Sequence, residues 1–299
     1  MKKILSLLAI CASLTYAKPI VTASILPTKY FVEQIAGDSV SVNVMVEKGA
    51  DPHTYEPKPK QMKELEKSEL YFAIGIEFED VWLDKFRQNY PKLQIINTQD
   101  GVKKIMMDEE DEKHGIHHDH DDAHHHHDGE GGCSHSHGGL DPHIWLEPEL
   151  VKTQATNIAK ALSQKYPQNS KIYADNLAKF SAKLDELDGY IKDKLKDIKK
   201  REFVVYHPSW GYFANRYDLV QVSIEMGGKE PKPAQLAKLI ENVKKSRIKA
   251  IFVAPQFSQK SAKAIAKESG ATVTEIDQLP YEWYETMKKS ADAIADSLK

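Results

Sequence analysis

Thirteen histidines stand in this 299-residue chain, and their spacing divides them into two groups suited to different chemistry. Ten fall in one tract: His114, His117, His118, His120, His124, His125, His126, His127, His135 and His137. Residues 108–139 mix these imidazoles with Asp, Glu and Gly and hold almost no apolar side chains. Such a segment cannot bury enough surface to fold, so it reads as a disordered loop. Clustered imidazoles and carboxylates bind divalent metal weakly and at many points. A merely solvated loop is the bland alternative, and ten histidines are far more than composition alone would place there.

The other three are His53, His143 and His207. A lone histidine in a globular domain is usually structural, but these three share a setting. His53 closes Gly49-Ala50-Asp51-Pro52-His53, His143 closes Asp141-Pro142-His143, and His207 stands between the apolar run Phe203-Val204-Val205-Tyr206 and Pro208. Each has an adjacent proline that stiffens its backbone. Parallel sheets present ligand sites beyond the carboxyl ends of their strands, and His53 and His207 belong to opposite halves of the chain. A site using both lies between two lobes. Asp277, directly after the apolar-polar alternation of 272–276, is a fourth candidate; its alternative role is to cap the loop before Leu279-Pro280. Three neutral imidazoles and one carboxylate make a four-coordinate site suited to Zn2+, whereas Mn2+ and Mg2+ prefer oxygen donors. Cu2+ would bind such donors at least as tightly, so selectivity cannot rest on affinity alone.

The elements that must position these residues alternate. Strands are expected at 19–26, 40–46, 70–74 and 94–98, with helices at 28–36, 61–65 and 79–89. The second half repeats the order, with strands at 202–206, 220–224, 250–253 and 272–276 and helices near 210–216, 234–246, 259–269 and 284–298. That order predicts an α/β fold of two lobes, each a four-stranded parallel sheet flanked by helices. Between them Pro148 suits the first turn of one helix, and Asn169 and Ser170 can cap the next. Tyr173, Leu177, Phe180, Leu184, Leu187, Ile191, Leu195 and Ile198 recur every three or four residues, the stripe of one long helix of roughly 40 Å. A coiled-coil seam is possible for such a stripe; a rigid strut packed against both lobes fits a single helix better. The expected division is a leader at 1–17, a first lobe at 18–167 that includes the His-rich loop, a linker helix at 168–199 and a second lobe at 200–299.

The leader carries Lys2 and Lys3, a short apolar core and a small residue at Ala17, the pattern of a secretory signal peptide cleaved after Ala17. Leu8-Ala9-Ile10-Cys11 resembles a lipoprotein box only weakly, because Ile10 fits poorly before the cysteine, so a soluble periplasmic protein is expected over a lipid-anchored one. Loss of the leader leaves Cys133 alone, which excludes an internal disulfide. The formal charge of −3, with both signs interspersed, gives no reason to expect nucleic acid.

Five segments resemble the zinc-specific solute-binding proteins of metal ABC transporters, the ZnuA group. They are Gly49-Ala50-Asp51-Pro52-His53-Thr54-Tyr55-Glu56-Pro57, Asp141-Pro142-His143-Ile144-Trp145-Leu146, Tyr206-His207-Pro208-Ser209-Trp210-Gly211-Tyr212-Phe213, Gly228-Lys229-Glu230-Pro231 and Ile251-Phe252-Val253-Ala254-Pro255-Gln256-Phe257. The resemblance implies a monomeric periplasmic protein that binds Zn2+ in the cleft between two lobes and delivers it to an inner-membrane ABC permease. It places His53, His143 and His207 on the metal, with Asp277 or a water completing the shell. Manganese-binding relatives carry a glutamate at the third motif, so His207 points to zinc. A disulfide found in the second lobe of some members is absent here. On this reading the tethered loop raises the local supply of Zn2+ or senses its excess, and Glu56 and Glu77 orient ligand rings. Three rival readings compete: a zinc hydrolase using the open fourth position, a metal buffer in which the loop alone binds, and a carrier of Mn2+ or Fe2+. No His-Glu-x-x-His or nucleophile-elbow motif supports the first.

Overall fold

The computed structural model describes residues 17–107, 139–226 and 228–299. The expected leader up to residue 16 and the His-rich tract, with all ten of its histidines, lie outside the described residues. The first half runs β1 (Ile20–Ala23), α1 (Leu26–Ala36), β2 (Ser41–Val44), α2 (Pro59–Leu65), β3 (Ser68–Ala73), α3 (Glu77–Asn89) and β4 (Gln94–Asn97). Every strand pair is parallel, in the order β2-β1-β3-β4. After α4 (Pro148–Lys165) and α5 (Ser170–Leu195) come β5 (Glu202–Val205), α6 (Gly211–Arg216), β6 (Val220–Ser223), α7 (Pro233–Lys245), β7 (Ala250–Val253), α8 (Lys260–Ser269), β8 (Thr272–Glu275) and α9 (Trp283–Leu298). The second sheet is again all parallel, in the order β6-β5-β7-β8, so both halves wind in the same way. Central strands such as β7, with all four residues buried, are apolar on both faces because helices cover both.

Boundaries shift where the chain turns sharply. The strand expected at 19–26 ends at Ala23, and α1 begins at Leu26 with Pro27 in its first turn, where a missing N–H costs nothing. Asn169 makes no capping bond at the start of α5. It ends a 3-10 turn, Pro167–Asn169, and its φ of −104 and ψ of 5 lie outside the extended region an N-cap needs. Pro148 opens α4 as expected, and the Glu147 carboxylate caps it by accepting from the N–H groups of Glu149 and Leu150.

The 26 residues of α5 span about 39 Å. Its stripe, Tyr173, Phe180, Leu184, Leu187 and Ile191, is consumed inside the chain, in one core with α1, α4 and α9. Asn176 Nδ2 donates to Ile35 O at 3.0 Å on the first-lobe side. On the second, Asp188 accepts from Arg216 Nε at 2.6 Å and from the Tyr217 hydroxyl at 3.0 Å. The same core continues to the inner face of the second sheet through Phe203, Val205 and Phe252, while the alternate residues Val204, Ile251 and Val253 belong to a smaller core under α7 and α8. The lobes are thus joined by shared packing, and the loops that follow their strands meet at the seam. Among the described residues no helix is long and apolar enough to cross a membrane.

Candidate metal centre

The loop after β2 carries His53. Asp51 folds it locally: one carboxylate oxygen accepts the His53 backbone N–H at 3.0 Å and the other accepts the Thr54 hydroxyl at 3.1 Å. The same local device recurs at the second histidine, where Asp141 Oδ1 accepts the His143 N–H at 2.8 Å. His143 then enters a 3-10 turn, Ile144–Leu146, that is wholly buried. The Trp145 indole donates to Gln278 O at 2.7 Å and the Trp283 indole donates to Trp145 O at 2.8 Å, which fastens this turn to the segment after β8. His207 leaves the carboxyl end of β5 and stacks on Phe257, with centroids 4.6 Å apart and planes 22° apart.

These loops bring His53, His143 and His207 together: one ring nitrogen from each lies within 4.8 Å of the others. Each Nδ1 faces a carboxylate. His53 Nδ1 stands 2.7 Å from Glu77 Oε2, His143 Nδ1 stands 2.7 Å from Asp141 Oδ1, and His207 Nδ1 lies 3.3 Å from both Glu225 oxygens. An ionised carboxylate only accepts, so the proton of each neutral ring sits on Nδ1 and the Nε2 lone pair faces inward. Accordingly His53 Nε2 is buried with no hydrogen-bond partner among the described residues, and the Nε2 atoms of His143 and His207 face each other at 3.3 Å. Two lone pairs at that separation repel. Tetrahedral Zn2+ with bonds of about 2.0–2.1 Å sets its nitrogen ligands about 3.3–3.4 Å apart, so a cation between them converts the repulsion into two bonds.

The protonation equilibria differ between the rings. Burial opposes charge on His53, but the hydrogen bond and charge of Glu77 outweigh it and hold its pKa above 6.5. Burial likewise opposes charge on Glu77, and His53 overcomes that to bring it down to about 2. His207 goes the other way: burial, aided by the neighbouring rings and only partly offset by Glu225, pushes it down to about 4.

Asp277 is not part of the three-histidine group. It follows β8 as the sequence suggests, but its Oδ1 accepts from Leu279 N at 2.9 Å and from Gln256 Nε2 at 3.0 Å, the local bonding of a loop cap. Glu56 is exposed, and of the two acids expected to orient rings only Glu77 reaches one. Sequence reasoning assigned no role to Asp141 or Glu225. The repeated Asp-Pro-His would have flagged the first. The second stands just past β6, as His207 stands past β5.

Comparison with known proteins places the chain among zinc proteins. A family described as zinc-uptake complex component A, periplasmic, matches residues 21–297. The chain is 29% identical over 292 residues to the high-affinity zinc uptake system protein ZnuA of Bacillus subtilis, covering 93% of this chain and 87% of that one. It is 30% identical to the zinc-binding lipoprotein AdcA of Streptococcus pneumoniae, covering 93% of this chain but spanning only 56% of that protein's length. A crystal structure of ZnuA superposes with a TM-score of 0.83 at 38% identity, covering 95% of this chain and 100% of that one.

Proposed function

We propose that this chain, which belongs to the ZnuA family of zinc-uptake components, captures one Zn2+ on His53, His143 and His207 and surrenders it to an ABC-type importer in the inner membrane. The family is one of solute-binding transport proteins and not of enzymes. The observation that carries the assignment is the convergence of three imidazoles whose Nδ1 atoms are each taken by a carboxylate, leaving three inward lone pairs. Nitrogen donors in that number favour Zn2+ over Mn2+. Glu77, Asp141 and Glu225 make the rings more basic and partly balance the incoming charge. A water takes the fourth position, with Asp277 held in its loop.

The working division is a first lobe at 18–167, a linker helix at 168–199 and a second lobe at 200–299, acting as a monomer. The leader is cleaved after Ala17 and the protein is released to the periplasm without lipid, on the strength of Ile10 before Cys11. The His-rich segment feeds the centre by raising local Zn2+ concentration. The test is a competitive zinc titration against a chelator of known affinity, with the mature chain, the chain lacking 108–139, and that deletion carrying His207→Ala. One tight site should survive the deletion and disappear with His207→Ala. Loss of tight binding with the segment alone would make the chain a metal buffer.

A further inference from the structure

Asp141, which aims the His143 ring, is itself held both by its own half of the molecule and by the opposite one. Its backbone N–H donates to Ile105 O at 2.9 Å, and its carbonyl accepts the Tyr212 hydroxyl at 2.8 Å. That hydroxyl also accepts from Ile105 N at 3.2 Å, so Tyr212 clasps both sides of the short antiparallel bridge that pairs Met106 with Leu140. The Asp141 side chain lies against Gly211. A Cβ on that glycine would stand 2.8 Å from Asp141 Oδ2 and 3.5 Å from Ile105 Cδ1. Meanwhile Oδ1 of the same carboxylate takes both the backbone and the ring N–H of His143. Asp141 is only 1% exposed, so its carboxylate has little room to turn aside. Gly211 has no left-handed backbone to accommodate and opens α6, where alanine is the better helix former, so the approach of the carboxylate is what favours glycine there.

We propose that Gly211 and Tyr212 are positioning residues for His143: the turn that carries His207 also seats Asp141, so the aim of the His143 ring depends on the second lobe being docked. This rests on the reading of His143 as a zinc ligand. Its consequence is concerted release. A movement that withdraws His207 from the first lobe also removes the seat of Asp141, and the metal loses one ligand and the orientation of another in the same step.

The test measures Zn2+ affinity by chelator competition, the visible spectrum of the Co2+-loaded protein, and the melting temperature of the metal-free protein. Gly211→Ala should weaken Zn2+ binding about 10–100-fold, the range for lost support of a ligand ring, and alter the Co2+ spectrum, while the metal-free melting temperature falls no further than it does in Asp141→Ala. Because the glycine acts through the carboxylate, adding Gly211→Ala to Asp141→Ala should change affinity less than about twofold. Tyr212→Phe, which keeps the ring and removes one hydroxyl, supplies the same test should Gly211→Ala not fold, with weaker affinity and an altered Co2+ spectrum expected. Unchanged affinity and spectrum in both variants would overturn the proposal, as would an equal loss from Gly211→Ala with and without Asp141. His143→Ala separates the two readings: undiminished affinity there would remove the zinc assignment itself, whereas a large loss there with no effect at 211 and 212 would remove only the seat.

Discussion

The tripeptide Asp-Pro-His occurs twice, at 51–53 and 141–143, and its two copies are finished differently. In both, the aspartate folds the turn by accepting the backbone N–H of the histidine two residues on. Asp141 goes further and also takes its own histidine's ring, in a pocket where His143 is fully buried. Asp51 instead takes the Thr54 hydroxyl, and the His53 ring is held by Glu77 at the start of α3, a side chain that remains 52% exposed. The local sequence therefore sets the turn, while the surrounding fold sets how the ring is held. One histidine rides on the first lobe alone. The other is fastened to the seam by Trp145, Trp283 and Tyr212.

The sharpest way to break this comparison is to remove each carboxylate. Asp141→Ala and Glu77→Ala should each weaken Zn2+ binding about 10–100-fold, because each frees a ligand ring. Only Asp141→Ala should also unfold easily, since it strands a buried His143 N–H at a cost of about 1–3 kcal/mol, whereas the half-exposed Glu77 should change stability by no more than about 0.5 kcal/mol. Denaturant unfolding of the two metal-free variants checks this, and equal losses would mean that the turns are equivalent after all.

The pH response comes next in size. Zn2+ must displace any proton on His53, whose pKa Glu77 holds above 6.5, so affinity should fall as pH drops through that raised value. His207, pushed down to about 4, remains neutral over that interval. Glu77→Gln removes the support for the charged ring, so the fall should move to lower pH even though binding is weaker throughout. In the metal-free protein the two rings act oppositely. The raised His53 stabilises the fold fully below about 6.5 and loses that contribution as pH rises through its folded pKa. The lowered His207 contributes above about 6.5 and loses its contribution as pH falls toward about 4. Competition titrations and thermal melts across this range read both signs. The smallest effect on affinity belongs to Asp51→Ala, which should cost about 0.5–1.5 kcal/mol by unfolding and less affinity than Asp141→Ala, because Asp51 orders the turn without touching the ring.

Much of this arrangement was legible in the chain. Alternation of strands and helices gave the two parallel sheets, the stripe from Tyr173 to Ile198 gave the long helix, which ends at Leu195, and an adjacent proline at a strand or turn boundary singled out the three histidines that the structure brings together. What was not legible depends on contacts distant in sequence. Glu225 reaches His207 only because β6 lies beside β5. The seating of Asp141 on Gly211 needs the second lobe to dock over residues that precede it by about seventy positions. Asp277 has a local bonding pattern of its own: an aspartate past a strand end can serve a loop, and this one accepts from the backbone two residues on.

The most direct test of the centre is zinc K-edge absorption of the one-to-one complex, made with protein lacking residues 108–139 so that no tract histidine contributes. The account predicts three imidazole nitrogens and one oxygen at about 2.0–2.1 Å, with one imidazole lost in each of His53→Ala, His143→Ala and His207→Ala. An oxygen-dominated shell, or a spectrum indifferent to those substitutions, would contradict it.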